Sequence, residues 1–107
     1  MRFLCIYKPA AKEGAPPAPE TMETMGKFIE QAFKEGYLLS TEGCLASTLG
    51  ARVRNSRANC TVTGGPFAES KESVGGFALI RTKPKENSIE FTKRFLEVAG
   101  DGEAEIR

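Results

Sequence analysis

The chain has 107 residues, of which 40% are hydrophobic and 27% charged, a composition typical of one globular domain and unlike that of a disordered chain. Fifteen lysines and arginines nearly balance fourteen aspartates and glutamates, so the net charge of +1 predicts neither a nucleic-acid partner nor an anionic membrane surface. The absence of histidine excludes Ser-His-Asp and Cys-His nucleophiles and zinc sites that contain histidine.

The lengths of the apolar segments and the pattern of the cysteines indicate in which cellular compartment the protein lies. No apolar run approaches the roughly eighteen residues of a membrane-spanning helix, and the first residues lack the extended apolar segment of a signal peptide. The three cysteines, Cys5, Cys44 and Cys60, are odd in number and form no Cys-x-x-Cys motif, which is typical of reduced thiols in the cytosol. We therefore predict a cytoplasmic protein that contacts no membrane.

The first third of the chain predicts a strand, a loop and a helix. Residues 2–7 are mostly apolar or aromatic and predict a buried strand. Three prolines and a glycine within residues 12–19 predict a surface loop. From residue 20 to residue 35 the apolar side chains recur at helical spacing. Gly26 lies inside this predicted helix, where glycine is unfavourable, and close packing against another backbone segment would account for it.

The remaining residues predict a second β-α-β unit and a hairpin. The predicted elements are a strand at residues 37–40, a hairpin with strands at 51–54 and 60–63 and one face toward water, a strongly apolar strand at 75–82, a helix with Asn87 as its N-cap and Gly100 at its end, and an edge strand at 103–107. The glycines at 64 and 65 and the prolines at 66 and 84 separate these elements.

The element order predicts the fold class. An order of β-α-β, hairpin and β-α-β indicates an α+β fold of the ferredoxin-like type, with two helices on one face of an antiparallel sheet and an added hairpin. Successive side chains of a strand point to opposite faces of the sheet, and in residues 2–7 and 77–80 the side chains toward both faces are apolar. A sheet face open to water would carry polar side chains instead. Because two helices cover one face only, we predict that a second copy covers the other in a homodimer. A small sheet that curls onto itself is the alternative.

One segment of about eighteen residues, 60–77, combines a turn, a charged stretch and paired glycines before an apolar strand. Its marked positions are, in order, Gly65-Pro66-Phe67, Glu69, Lys71-Glu72 and Gly75-Gly76. This order and spacing resemble the DGPF-domain proteins of the YCII-related family, which are small bacterial α+β proteins. The end of the first strand at Tyr7 and the region of Gly43 are also similar, so the resemblance extends over most of the chain.

The resemblance implies a dimeric α+β barrel with a cleft, no metal and no settled reaction. It also implies a regulatory link, because genes of DGPF proteins are often found beside those of extracytoplasmic-function sigma factors. The chain departs from the family at Gly64, where the motif usually has aspartate, so no role of that carboxylate transfers. A His-Asp pair suggested as catalytic in some members of the wider family cannot transfer either, since the chain has no histidine.

The candidate site residues centre on a charged loop. Neighbouring carboxylates and a lysine shift each other's pKa, so Glu69, Lys71 and Glu72 can supply a general acid or base; ion pairs on a solvated loop are the alternative. Two glycines before Pro66 form either a nest of amides for an anion or a tight corner. The full set of candidates for ligand binding is Tyr7, Glu42, Arg52, Gly65, Pro66, Phe67, Glu69, Lys71 and Glu72.

The other candidates each have two interpretations. Arg52 and Arg54 alternate onto one face of the hairpin, where they can hold a carboxylate or a phosphate or simply form a solvated surface. Tyr7 can place its hydroxyl at the mouth of a cleft or pack its ring. Glu42 follows a strand and faces either the cleft or water. Phe67 is expected to anchor the loop in the core.

Two classes of function follow. The first is a binding module, with a regulatory role, that holds a small polar ligand or a partner at the cleft. The second is an enzyme that uses Glu69, Lys71 or Glu72 for acid–base chemistry. Binding is favoured because the chain has no histidine and no nucleophile–base pair. The spacing of glycines does not support a phosphate-binding loop. We predict no cofactor. A structural dimer without a ligand is a third alternative.

Overall fold

The computed structural model describes residues 1–11, 17–66 and 73–107. Within these residues it contains two α-helices, a four-stranded antiparallel sheet and a separate two-stranded sheet, which confirms the α+β class. The elements are β1 Arg2–Pro9, α1 Pro19–Lys34, β2 Leu38–Gly43, β3 Ala51–Ser56, β4 Asn59–Gly64, β5 Gly76–Arg81, α2 Lys85–Ala99 and β6 Gly102–Ile106. Neither described helix is long and apolar enough to span a bilayer.

The strands of the larger sheet follow the order β2-β5-β1-β6. Each β-α-β unit therefore encloses a strand of the other: β5 lies between β1 and β2, and β1 lies between β5 and β6. All three neighbouring pairs are antiparallel, and β1 pairs with β5 from Arg2 opposite Arg81 to Tyr7 opposite Gly76. The two strands predicted to be apolar on both faces are thus the central strands, and β2 and β6 form the edges.

The helices cover one face of this sheet and form the core with it. The buried apolar side chains are Phe3, Cys5, Ala32, Leu38, Ile80 and Phe91. The ring of Phe91 lies 5.4 Å from that of Phe28 and 6.4 Å from that of Tyr37, measured between centroids. Burial of these side chains away from water supplies most of the favourable free energy of folding.

The opposite face, here called the open face, carries apolar side chains that the described helices do not cover. On the central strands Leu4 lies opposite Leu79, and Ile6 lies opposite Phe77. Leu4 and Phe77 are 38% and 39% exposed. The sequence predicts apolar side chains on this second face, and the structure has them there. Because these side chains are partly exposed, they raise the question of what covers the face.

Two predicted boundaries are wrong. α2 begins at Lys85, directly after Pro84, so Asn87 lies inside the first turn and is not the N-cap. Pro84 takes the cap position with an extended backbone because its own φ is fixed and it needs no amide partner. β2 continues to Gly43 instead of ending at residue 40, since its last residues pair with β5. Glu42 therefore lies within the strand.

The predicted hairpin is confirmed, but it stands apart from the larger sheet. Its two turn residues, Arg57 and Ala58, have φ values of 50° and 66°, the left-handed backbone that a two-residue turn requires. Val53 and Val62 lie opposite each other and are 68% and 70% exposed. The prediction that only one face of the hairpin meets water is therefore wrong: the apolar face is open as well.

Candidate functional site

A cavity of about 470 Å³ lies between the two helices and the covered face of the sheet. Sites that hold small molecules have volumes of roughly 300–1,000 Å³, so this space is large enough for a ligand. Strands β1, β2, β5 and β6 and both helices contribute to its lining. The larger apolar residues in its lining include Met22, Met25, Ile29, Phe91 and Phe95.

The cavity exists because small residues occupy positions where side chains would fill it. A Cβ added at Gly26 would meet no atom within 4 Å, so the predicted close packing at Gly26 is wrong and this glycine leaves open space in α1. On the sheet side the lining includes Ala78 and Ala104. A Cβ on Gly76 would lie only 2.7 Å from the carbonyl oxygen of Glu42, so this glycine also allows β2 and β5 to approach each other closely.

Few of the described lining residues are polar, and the hydroxyl groups of two of them are already bonded within the protein. Thr41 Oγ1 donates a hydrogen bond to the Phe77 carbonyl oxygen at 3.0 Å. Thr92 Oγ1 donates to the Ser88 carbonyl oxygen at 2.8 Å and lies 3.8 Å from Cys5 Sγ. The hydroxyl protons of Thr41 and Thr92 are therefore already used in hydrogen bonds within the protein.

Tyr7 supplies a phenol hydroxyl that is available to a ligand. Its ring packs edge-on against Phe95, with the centroids 5.3 Å apart. Among the described residues its hydroxyl has no hydrogen-bond partner. A phenol in this position can donate to or accept from one polar atom of a ligand.

Two of the ionisable groups that line the cavity, Cys5 and Tyr7, are neutral near pH 7. Burial raises the pKa of the Cys5 thiol, and the hydrogen bond with Thr92 opposes part of that rise. Burial, and then the negative charge of Asp101, raise the pKa of Tyr7. Both groups therefore keep their protons, and neither is an activated nucleophile or base.

The predicted site residues lie in three places. Tyr7 and Glu42 line the cavity, with Glu42 exposed on the edge strand β2. Arg52 lies on the hairpin, and Gly65 and Pro66 follow it; these three are not among the lining residues. The others, which carry the predicted acid–base chemistry and the loop anchor, lie outside the described residues: Phe67, Glu69, Lys71 and Glu72.

Gly65 serves a close backbone contact at the base of the hairpin. A Cβ at this position would overlap the Ser47 carbonyl group and lie 2.8 Å from the Thr48 amide nitrogen. The peptide bond between Gly65 and Pro66 is cis. Of the two interpretations of this turn, the contact supports the tight corner. Glycine is needed there because the backbone of residues 47 and 48 lies so close, and not because the φ of Gly65 is left-handed.

Replacing Gly65 with alanine is expected to lower the free energy of unfolding by about 1–3 kcal/mol, the usual effect of an overpacked position. Gly64→Ala is the matched control, because a Cβ at Gly64 meets nothing within 4 Å. Urea unfolding of both variants measures the difference. Equal midpoints for the two variants would contradict the close contact.

The sequence analysis missed most of the cavity because it searched for polar and charged groups. Met22 and Met25 lie among the apolar side chains that recur at helical spacing along α1, a pattern that predicts core positions, and both line the cavity. The available signal was Gly26 within that pattern, since a glycine between core positions leaves volume unfilled. Within residues 1–11, 17–66 and 73–107, no three acidic or thiol side chains converge as metal ligands would.

A scan against protein-family models finds no match, and a search of curated proteins finds none. The resemblance to the YCII-related family therefore stays a prediction.

Proposed function

We propose that this chain is a binding protein for an apolar small molecule, which occupies the cavity between the helices and the sheet. The cavity itself carries the proposal: it measures about 470 Å³ and most of its lining side chains are apolar. One polar atom of the ligand pairs with the Tyr7 hydroxyl. Large apolar pockets with a small number of polar groups are the usual form of a ligand site.

The apolar ligand differs from the polar ligand that the sequence favours. A charged molecule loses its hydration when it enters such walls, and that loss is costly unless an opposite charge replaces it. Among the described lining residues Glu42 is the one charged side chain, and it is exposed on the edge strand. The described walls therefore favour a neutral ligand.

Acid–base catalysis by Glu69, Lys71 or Glu72 is the alternative function. Binding is supported over catalysis by Cys5 and Tyr7 in the cavity wall, since the raised pKa values of these two groups keep both protonated at neutral pH. A ligand beside Cys5 and Tyr7 therefore meets two protonated groups, neither of which is an activated base.

We also propose that the protein is a cytoplasmic homodimer with a ferredoxin-like protomer, related to the YCII family. The strand order β2-β5-β1-β6, with two interleaved β-α-β units, supports the protomer fold. The apolar open face supports the second copy. The free thiols of Cys5, Cys44 and Cys60 support a reducing compartment.

Titration with N-phenylnaphthylamine, a neutral dye that fluoresces when shielded from water, tests the binding function. We expect saturable binding of one dye per chain. Naphthol should displace the dye, and naphthalenesulfonate, which has the same ring system with a charge, should not. Absence of saturable binding, or equal displacement by both competitors, would contradict the proposal.

A further inference from the structure

We propose that the hairpin, residues 51–64, binds an acidic, extended segment of a partner protein, which pairs with β3 as a third strand. Arginine side chains of the hairpin contact the acidic side chains of the segment, and the free backbone edge of β3 pairs with its backbone. The proposal goes beyond the ligand function, since neither strand of the hairpin is among the residues that line the cavity.

Both faces of the hairpin are open to water. All six residues of β4 are exposed, and so are five of the six residues of β3. Val53 and Val62 oppose each other on the apolar face and belong to this exposed set. A two-stranded hairpin is at best marginally stable in water, and a third strand beside it adds backbone hydrogen bonds and covers apolar surface. The hairpin therefore gains stability from a bound strand.

The charged side chains of the hairpin are all cationic. Residues 51–64 contain Arg52, Arg54 and Arg57 and no aspartate or glutamate, so the hairpin carries +3 in a chain whose net charge is only +1. Arg54 and Arg57 are exposed and belong to none of the ion pairs between described residues. A local excess of positive charge attracts acidic groups and accelerates their encounter with this surface.

The spacing of the arginines matches that of side chains on an extended acidic segment. Arg52 and Arg54 lie opposite Thr63 and Thr61, and side chains two residues apart on a strand point to the same face, about 7 Å from each other. Carboxylates at every second residue of a neighbouring strand have the same spacing. A guanidinium group can donate two parallel hydrogen bonds to one carboxylate, so each arginine can hold one acidic side chain.

The outer edge of β3 is free for strand pairing. The hairpin is a sheet of two strands, so each strand has one side without a neighbouring strand in the described part of the chain. Its two-residue turn makes Ser56 and Asn59 a hydrogen-bonded pair, so alternation turns the backbone amide and carbonyl groups of Val53 and Asn55 outward. None of the backbone hydrogen bonds between described elements uses these groups. Unpaired groups in such a row are the template on which an extended peptide adds as a strand.

The same charges select the partner. Two hairpins side by side would bring arginines against arginines, which opposes pairing of the hairpin with that of a second copy. Among anionic partners, a peptide fits better than a nucleic acid, because the hairpin has no aromatic residue on which a base could stack. An acidic segment with apolar residues between its carboxylates meets the arginines with one face and the exposed valines with the other.

The tip of the hairpin holds a cation at a cost in stability. Arg57 and Ala58 have left-handed backbones, a conformation that brings Cβ close to the following carbonyl oxygen. Asparagine and glycine adopt this turn with less strain and are the usual residues there. An arginine at such a position is typical of a residue kept for a contact and not for the turn itself.

Fluorescence anisotropy of a labelled ten-residue peptide, in which glutamate alternates with valine, tests the proposal on the full chain. We expect saturable binding of one peptide per chain, weakened by added NaCl because salt screens the attraction. A peptide with lysine in place of glutamate reverses the charge. A peptide with proline in place of valine keeps the charge but loses half of its amides. Each control peptide should bind at least about tenfold more weakly.

Charge reversal on the hairpin locates the binding surface. The double variant Arg54→Glu and Arg57→Glu should weaken binding of the glutamate–valine peptide by about tenfold or more. The matched control is Lys85→Glu with Arg94→Glu on α2, which changes the net charge equally at two exposed residues outside the ion pairs of the described chain. Its affinity should change by less than about threefold. Circular dichroism and dye binding verify that both variants remain folded.

Arg57→Asn separates a contact at the tip from a structural role. Asparagine suits the turn better than arginine, so this variant removes the charge while the hairpin is favoured. We expect binding of the glutamate–valine peptide to weaken by about threefold or more. Unchanged or tighter binding would overturn the contact at Arg57.

The remaining outcomes are decisive for the proposal as a whole. Absence of saturable peptide binding, or equal losses in the hairpin variant and the α2 variant, overturns the hairpin as the binding surface. Equal binding of the proline peptide overturns strand pairing. Tighter binding of a short DNA duplex than of the acidic peptide overturns the assignment of a peptide partner, and a dimer of the chain that Val53→Glu dissociates would place a second copy on the hairpin instead.

Discussion

Gly26→Phe is expected to abolish dye binding in the cavity while the chain remains folded. A Cβ at residue 26 meets no atom within 4 Å, and the position lines the cavity, so an added ring extends into space that a ligand would otherwise occupy. Phenylalanine also has a higher helix propensity than glycine, by a few tenths of a kcal/mol, so α1 should not be weakened. Titration with N-phenylnaphthylamine should show a loss of affinity of about a hundredfold or more, equivalent to about 3 kcal/mol.

Gly26→Ala is the matched control for this prediction. Its single methyl group removes little volume, so the dye affinity should change by less than about threefold. The free energy of unfolding should rise by about 0.5–1 kcal/mol, because alanine is favoured over glycine within a helix. Full dye binding by Gly26→Phe, with an unfolding midpoint like that of the parent chain, would place the dye elsewhere.

Phe91→Ala is expected to cause the largest loss of stability of any single truncation in the core. The side chain is 5% exposed, and its ring contacts Phe28 and Tyr37 between the helices and the sheet. Removal of a buried phenylalanine costs about 3–5 kcal/mol, a large part of the roughly 5–15 kcal/mol that holds a domain folded. Because Phe91 also lines the cavity, its loss enlarges an existing space that the surroundings cannot easily fill.

Phe33→Ala is the control, since Phe33 is 47% exposed on α1. Its truncation should cost about 1 kcal/mol or less. Urea unfolding, followed by circular dichroism at one protein concentration, compares the two variants. If both variants lose the same free energy of unfolding, the placement of Phe91 in the core between the helices and the sheet is contradicted.

The sequence predicted the larger sheet well because its signals are local. Apolar side chains toward both faces of residues 2–7 and 77–80 correctly predicted two strands, and the structure places these strands, β1 and β5, at the centre of the sheet. Helical spacing identified α1 and α2 to within a few residues. The separation of the hairpin from the sheet was not predictable, since it depends on contacts between residues far apart in the chain.

The cavity was harder to predict because it results from side chains that are missing. In the sequence, Gly26 is only an unfavourable residue within a helix, and Ala104 is an ordinary residue of a strand. Only the packing of α1 against the sheet places both residues in the wall of one cavity. Tyr7 was predicted for a cleft, and it does line the cavity. The charged loop that drew most attention in the sequence, residues 69–72, lies outside the described residues, and its role stays a prediction.

Methyl NMR of the three methionines tests most directly whether an apolar molecule enters the cavity. Met22 and Met25 line it, whereas Met1 is 79% exposed at the N-terminus and serves as the internal control. On addition of N-phenylnaphthylamine, the methyl signals of Met22 and Met25 should shift and that of Met1 should not, because ring currents of a bound dye act only at short range. Unchanged signals of Met22 and Met25 at saturating dye, or equal shifts of all three methionines, would contradict ligand binding at this site.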